Sequence, residues 1–495
     1  MSSLARACAL AAAATLSAAA FARTETITVW RGETAARRIH DHTVLGKVPD
    51  GISIRSGTAH KVDYLTSWCG YEYRSAADRV VWGSDAPGPK FVEVKVPADA
   101  KPGEYVCGDL VVCVIDRVLP PPREWKFYLD IWQHPWAVAR WTKTKPFSKE
   151  HYAAMRPLWE LLATAGAKAL TMTISDMPWN KQCYDAYRSM VGHVKRADGS
   201  WKFDFSLFDE YVEFGRSCGL GPLIDCNSPC PWDHLVYWQD EKGETHSCRA
   251  VPGTPEFADY WGDFFLEFGR HMKEKGWLGD VVIGIDERPD DAKTVMDFVR
   301  ARCPGVRFTL AASKPPSELG LDVELFGTCL HHVDEKYLEE ARTRRAEGKI
   351  TRFYFCNLPK HPNTLMSCRT SEAFWLAVYP FFSGLDGLSN WAWNSWPQNP
   401  MVDASYTGIG WGWPAGNTFL VYPDGSPSYR FLEFRTGRQC AEKLRILKEA
   451  GDPKAAEAVK RIERRYNLQD ALSDKTDWFY TELLTLEAVN GQKDI

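Results

Sequence analysis

Beyond three consecutive prolines, Pro120 to Pro122, strand-like and helix-like stretches alternate for most of the remaining chain, and this rhythm limits the fold more than any other feature. Short β-branched and aromatic runs, "EWKFYLDIW", "KALTMTISD", "GPLIDCN", "DVVIGIDE", "RFTLAAS", "VELFGTCL", "ITRFYFCN" and "GLDGLSNWAW", have the near-continuous apolar character of strands buried on both faces. Between them lie stretches with helical periodicity, such as "KEHYAAMRPLWELLATAG", "FSLFDEYVEFGRSCG" and "PEFADYWGDFFLEFGRHMKEKG", each closed by glycine as helix ends commonly are. Eight such units over roughly 270 residues predict a (β/α)8 barrel. The fifth unit is the weakest, because "KPPSELGL" leaves little room for a helix.

The prolines form a stiff linker, and the chain before them has another character. Pieces such as "ETITVW", "GISIRS", "RVVWG", "KFVEVKVPAD" and "GEYVCGDLVVCVID", separated by turn signals such as "DAPGP", predict a β-sandwich over 23–122. The barrel then occupies 123–447, and charged helical pieces over 448–495 are expected to pack on it or to form an appendage. Residues 1–22 read as a signal peptide: Arg6 in a short polar start, an apolar run from Ala7, and Ala20-Phe21-Ala22 as a cleavage site. Cleavage near Ala22 implies export to a periplasm or the medium. Of the 14 cysteines, 13 remain after cleavage, so at least one thiol is free. Cys226 and Cys230 read as a disulfide or buried thiols rather than half of a zinc site, since no second pair follows at usable spacing.

A net charge of -4 offers no electrostatic case for nucleic acid or an anionic membrane. The chemistry is sought instead at the fourth strand. "VVIGIDERPDD" is an apolar run ending in two adjacent acids, Asp286 and Glu287, on the face where barrel enzymes carry their catalytic groups. Neighbours on a strand point to opposite faces, so such a pair is poorly placed to embrace a sugar ring from two sides. At the strand's end, where the backbone turns, one carboxyl can reach a glycosidic oxygen and the other the substituent on the next carbon. Substrate-assisted hydrolysis of a 2-acetamido sugar asks for that arrangement, with Glu287 as general acid/base and Asp286 as partner of the acetamido group. The structural alternative is a strand end in which Arg288 neutralises one acid.

With 21 tryptophans the chain has more flat apolar faces than a core needs. They concentrate after the eighth strand, where "NWAWNSWPQNP" sets Trp391, Trp393 and Trp396 among Asn390, Asn394 and Asn399, and "TGIGWGWPAGN" adds Trp411 and Trp413. Aromatic faces stack on pyranose C–H patches while amides bond hydroxyls. Trp391 is open to either role, wall of the cleft or filler of a barrel layer. Other strand ends supply Asp130, Gln133 and His134; Asp176 and Trp179; Asp225 and Asn227; His331 and His332; and Tyr354 and Asn357. Tyr237, on the loop after the third strand, is a further candidate for the acetamido group or a ring hydroxyl. His331-His332 reads as a loop end or sugar contact rather than a metal site.

"DIWQHPWAVARW", "DGSWKFDFSLFDEYVEF", "EKGW", "IDERP", "EGKITRFYFC", "HPNT", "WAWNSWPQNP" and "GNTFLVYP" resemble the catalytic domain of glycoside hydrolase family 123, the β-N-acetylgalactosaminidases, from about Trp125 to Leu447. The resemblance implies a barrel behind a β-sandwich, retention by neighbouring-group participation, no metal or other cofactor, and Asp286 and Glu287 as stabiliser and acid/base. Asn417 stands where the family often carries an acid. Two alternatives stay open: a catalytically silent carbohydrate-binding protein on the same barrel, and a glycosidase for a different sugar, which would need another nucleophile about 5 Å from Glu287.

Overall fold

The computed structural model describes residues 25–67, 70–406, 412–451 and 453–465. The signal segment, Trp411 and the C-terminal "DWFYTELLTLEAV" lie outside them. Two compact units emerge, one of residues 25–58 with 83–119, the other of 59–82 with the chain from Pro120 onward.

The first unit is built from β1 (Glu25–Arg31), β2 (Thr34–Ile39), the start of β3 (Ser53–Ser67), β5 (Lys90–Lys95), β6 (Gly103–Cys107) and β7 (Leu110–Val118), while the rest of β3 and all of β4 (Gly70–Trp82) fall in the second. They form a three-stranded sheet, β1-β7-β6, and a four-stranded sheet, β2-β5-β3-β4. Alternate residues of both, among them Val29, Val92, Val94, Leu110 and Val112, share one apolar core, which is the expected sandwich. The long β3–β4 hairpin is the departure from the sequence reading, which gives only its inner ends as short strands.

In the second unit, β8 (Tyr128–Ile131), β9 (Ala169–Thr173), β12 (Leu223–Asn227), β15 (Val281–Asp286), β16 (Arg307–Ala311), β17 (Leu325–Cys329), β18 (Ile350–Phe355) and β19 (Gly387–Asn390) make one parallel eight-stranded sheet. Two small hairpins, β10 (Gly192–Lys195) with β11 (Trp201–Asp204) and β13 (Leu235–Asp240) with β14 (Thr245–Arg249), join into a four-stranded sheet inserted around the third strand. Seven of the sheet's neighbours are bonded in order, and the remaining seam, β8 against β9, is bridged chiefly by a side chain. Gln133 donates its backbone N–H to Thr171 Oγ1 at 3.1 Å, and its Oε1 accepts from Thr171 N–H at 2.9 Å. The Gln133 amide thus stands in for ladder bonds and closes the barrel.

Helices flank these strands at the expected places, including Lys149–Ala163, Ser206–Ser217, Pro255–Glu274, Pro289–Arg302, Glu335–Ala346 and Thr370–Ser383. In the fifth unit the helix is a single turn, Pro316–Leu319. The last long helix, Tyr429–Glu449, packs along Thr370–Ser383 with much of its surface buried, so it belongs to the barrel wall. Its Arg430 is buried and donates to Asp78, on the outer end of β4, at 3.0 and 2.9 Å. Among the described residues no helix is long and apolar enough to cross a membrane.

Inside the barrel the side chains are layered. Tyr128, Ala169, Leu223, Val282 and Leu325 form an apolar bottom, with Ile350 packed against it. Two residues further along several of the same strands come polar groups, Asp130, Thr171, Asp225 and Arg352, joined by Thr309 and Ser389. Arg352 donates to Ser389 Oγ and Thr309 Oγ1, both at 2.7 Å. Burial pushes the Asp130 and Asp225 carboxyls up, Asp225 further through repulsion by Asp130, while Arg352 opposes both rises. Above this layer the cavity opens.

Candidate active site

The strand β15 ends in a residue whose backbone does what an adjacent acid pair requires. Asp286 has φ +57°, the left-handed region that aspartate tolerates better than most residues. The ladder to β16 shifts register between Gly284 and Asp286. The turn replaces strict alternation, and both Asp286 and Glu287 line one cavity of about 780 Å³, open mouth included. Gly284 makes room beneath them: a Cβ there would fall 2.2 Å from Asn227 Oδ1 and 3.1 Å from Asp225 Oδ1.

Each acid has a distinct partner. Trp232 Nε1–H donates to Asp286 Oδ2 at 2.8 Å, and the Tyr354 hydroxyl donates to Glu287 Oε1. Burial, reinforced by the neighbouring Glu287 charge, raises Asp286 to about 7, against the lowering effect of Trp232. Burial and then Glu287 raise the Tyr354 phenol far enough to keep it a donor. Arg288 does not neutralise the pair. Its guanidinium donates to Asp291 Oδ2 at 2.6 Å and to the Trp232 carbonyl at 2.7 Å, which steadies the loop whose indole holds Asp286.

Around the acids stand the indoles of Trp132, Trp179, Trp232, Trp391 and Trp413, with Asn227, Asn390, Thr309, Arg352, Ser389 and Cys356 below and beside them. Trp391 and Trp413 meet edge to face with centroids 4.7 Å apart, and Trp132 and Trp179 lie 4.6 Å apart. Both amide atoms of buried Asn390 are free of protein partners, as are Asp225 Oδ1 and Arg352 Nη1. A cavity with apolar walls and unspent hydrogen-bonding atoms on its floor suits a sugar ring, whose faces are apolar and whose rim is hydroxylated.

Of the residues singled out by sequence, Asp286, Glu287, Tyr354, Trp391, Trp413, Asp225, Asn227, Trp179 and Asn390 converge here. Trp393, Asn394 and Trp396 do not line the cavity. Trp393 is fully buried against Phe431, Trp396 donates to the Val421 carbonyl at 2.7 Å, and Asn394 bonds both backbone groups of His134. The strand ends at Asn390, so past it alternation no longer sorts wall from core, and Trp391 is the wall residue. Asp176 accepts from Ser189 N–H at 2.6 Å, Tyr237 sits in β13, and Asn357 pairs with Cys356 Sγ, all outside the lining. Asp130, Gln133 and His134 are buried in the fold, and His331 and His332 are exposed, their rings 3.9 Å apart and tilted by 41°. Cys226 and Cys230 are buried thiols, and no disulfide links any cysteines among the described residues. Sequence reasoning missed Trp132, Trp232 and Arg352. The available signal for Arg352 was a charge at an inward position of the otherwise apolar "ITRFYF".

The glycoside hydrolase 123 catalytic domain matches residues 132–447. The chain belongs to glycoside hydrolase family 123. It is a glycosidase, and its substrate is a carbohydrate. A family 123 glycoside hydrolase from Clostridium perfringens, whose structural analysis concerned glycolipid glycan hydrolysis, superposes with TM-score 0.79 at 19% identity, covering 95% of this chain and 94% of that one, and so shares the fold. A family 39 glycoside hydrolase from Bacteroides cellulosilyticus WH2 aligns at TM-score 0.36 and 9% identity over 84% of this chain and 81% of that one, too distant to carry an argument. No curated protein sequence matches the chain.

Proposed function

We propose that this family 123 member is an exported exo-acting enzyme that removes terminal β-linked N-acetylhexosamine, foremost N-acetylgalactosamine, with retention through the substrate's own 2-acetamido group. The observation that carries the reading is the adjacent pair turned into one cavity by the left-handed Asp286, with a proton held up to about 7 by burial and mutual repulsion. Below that pH Asp286 holds a proton in the same cavity as Glu287, so the proton the reaction needs is already at the site. An acetamido N–H bonded to Asp286 favours its ionised form and leaves the proton to Glu287.

The steps follow from these placements. Glu287 gives its proton to the glycosidic oxygen as the acetamido oxygen attacks the anomeric carbon, and Asp286 stabilises the positive charge that grows on the nitrogen. Water then opens the cyclic intermediate, giving its proton to Glu287, and the β configuration is restored. Tyr354 orients Glu287, and Trp391 with Trp413 offers the apolar wall for the ring. The similarity to an enzyme acting on glycolipid glycans supports a glycoconjugate as the natural substrate. Export rests on the signal-like residues 1–22, and N-terminal sequencing of the secreted protein should begin near Arg23.

The test is release of 4-nitrophenol from the β-N-acetylgalactosaminide, β-N-acetylglucosaminide and β-galactoside by the mature protein and by Glu287→Gln. Turnover confined to the acetamido sugars and lost in the variant is expected. Cleavage of the plain galactoside would overturn the acetamido mechanism, and full activity in Glu287→Gln would overturn its acid/base.

A further inference from the structure

The "HPNT" motif contributes nothing to the cavity lining, yet its residues are tied into a compact knot on the loop after β18. Asn363 is fully buried and donates its side-chain amide to the carbonyls of Cys356 and Pro359 at 2.9 and 2.7 Å. Its backbone N–H donates to Glu372 Oε2 at 3.0 Å, while Arg369 N–H donates to Glu372 Oε1 at 3.1 Å. Glu372, in the first turn of helix Thr370–Ser383, is thereby held rigidly although only 5% exposed. Two further groups converge on it. His361 Nδ1 lies 3.1 Å from both carboxylate oxygens, and Cys368 Sγ lies 3.7 Å from the same nitrogen.

We infer that His361, Cys368 and Glu372 form a binding site for a divalent zinc-class cation, separate from the catalytic acids. The three ligand atoms all lie within 4.8 Å of one another. Zinc bonds of about 2.0–2.1 Å to nitrogen and oxygen and about 2.3 Å to sulfur, at tetrahedral angles, set donor–donor edges of about 3.3 Å and about 3.6 Å. The observed 3.1 and 3.7 Å are within a few tenths of an ångström of those edges. Imidazole, thiolate and carboxylate are the ligand types zinc accepts, and the exposed side of His361 leaves a fourth position to water.

A helix cap accounts for part of this cluster but not for all of it. Capping needs one Glu372 oxygen for the Arg369 N–H, the Asn363 N–H takes the other, and the Cys368 thiol also lies 3.2 Å from the Lys360 carbonyl, yet none of these bonds requires the His361 imidazole to face the same carboxylate. A dication held by the three groups binds the cysteine as its thiolate, releasing the thiol proton to solvent. The Asn363 and Arg369 N–H bonds then serve as the outer contacts that orient a ligating carboxylate. The ion would clasp the loop following Tyr354 and Cys356 to the start of helix Thr370–Ser383.

The experiment uses the full mature chain, stripped with a chelator and titrated with Zn²⁺ and with Co²⁺. Expected are one tight equivalent of zinc, a rise in melting temperature on its binding, and a thiolate-to-cobalt charge-transfer band. That band should vanish in Cys368→Ser and fall sharply in His361→Asn, an exposed position whose variant should keep the wild-type circular dichroism. Absence of the band in the wild type would overturn the proposal, as would a band that survives both substitutions. Because metal binding is read directly, the result is independent of whether the enzyme acts on acetamido sugars.

Discussion

Replacing Asp286 by Asn should stabilise the protein while removing most of its activity, and the size of the gain should depend on pH in a definite direction. Asp286 is raised from 3.8 to about 7 by burial and by Glu287. Three units at about 1.36 kcal/mol each give a ceiling of roughly 4 kcal/mol for the cost of its charge in the native state. The group is only partly enclosed, so screening reduces this to about 2 kcal/mol. The native pKa lies above the unfolded one, so the native state holds the proton more tightly and loses stability as pH rises between the two values. Asparagine keeps an oxygen for Trp232 Nε1–H, tolerates the left-handed φ, and carries no charge. Its advantage should therefore be nearly absent near pH 4, grow through the interval, and be complete above about pH 7. With an unfolding entropy of about 2.1 cal/mol/K per residue over a barrel of roughly 300 residues, 2 kcal/mol corresponds to a rise of about 3 °C. Thermal melts of both proteins at about pH 4 and about pH 8 decide the matter. An equal gain at both pH values, or a loss at both, would refute the argument that Asp286 is a destabilised charge.

Four further outcomes follow from the same geometry. The kcat/KM profile should fall as pH rises through about 7, where the pair loses the proton held at Asp286, and a profile flat from 6 to 9 would contradict that proton's role. Trp396→Ala should cost about 3–5 kcal/mol in denaturant unfolding, whereas Trp391→Ala should cost far less and instead raise KM. Asp78→Ala strands the buried Arg430 charge and should lose about 3–5 kcal/mol, detectable in the same melts. Gln133→Ala leaves the buried Thr171 N–H unpaired at the barrel seam and should cost about 1–3 kcal/mol with little change in KM.

What could be read from sequence and what could not divide along the range of the forces involved. The barrel strands and most helices were legible because burial imposes a local period, and the fourth strand's acids because an apolar run that ends in two carboxyls is anomalous within six residues. The turn of the backbone at Asp286 was inferable only as a need, since φ is set by the register shift against β16 and by the loop that follows. The indoles around the acids come from the ends of the first, second, third and eighth strands, at no fixed spacing from Asp286 or from each other. Tryptophans of "NWAWNSW" therefore looked alike in sequence, and only the path of the chain after Asn390 sends Trp391 to the cavity and Trp393 and Trp396 to the core. The same reasoning explains the outer β3–β4 hairpin, whose partner for Asp78 is 352 residues away in Arg430. Local chemistry thus located the acids, but the walls that desolvate Asp286, and so hold the proton the proposed reaction uses, are a property of the closed barrel. Mutations that loosen the Gln133 seam without touching the cavity should accordingly shift the pH profile toward that of an ordinary carboxylate, because water admitted there weakens the burial that raises Asp286.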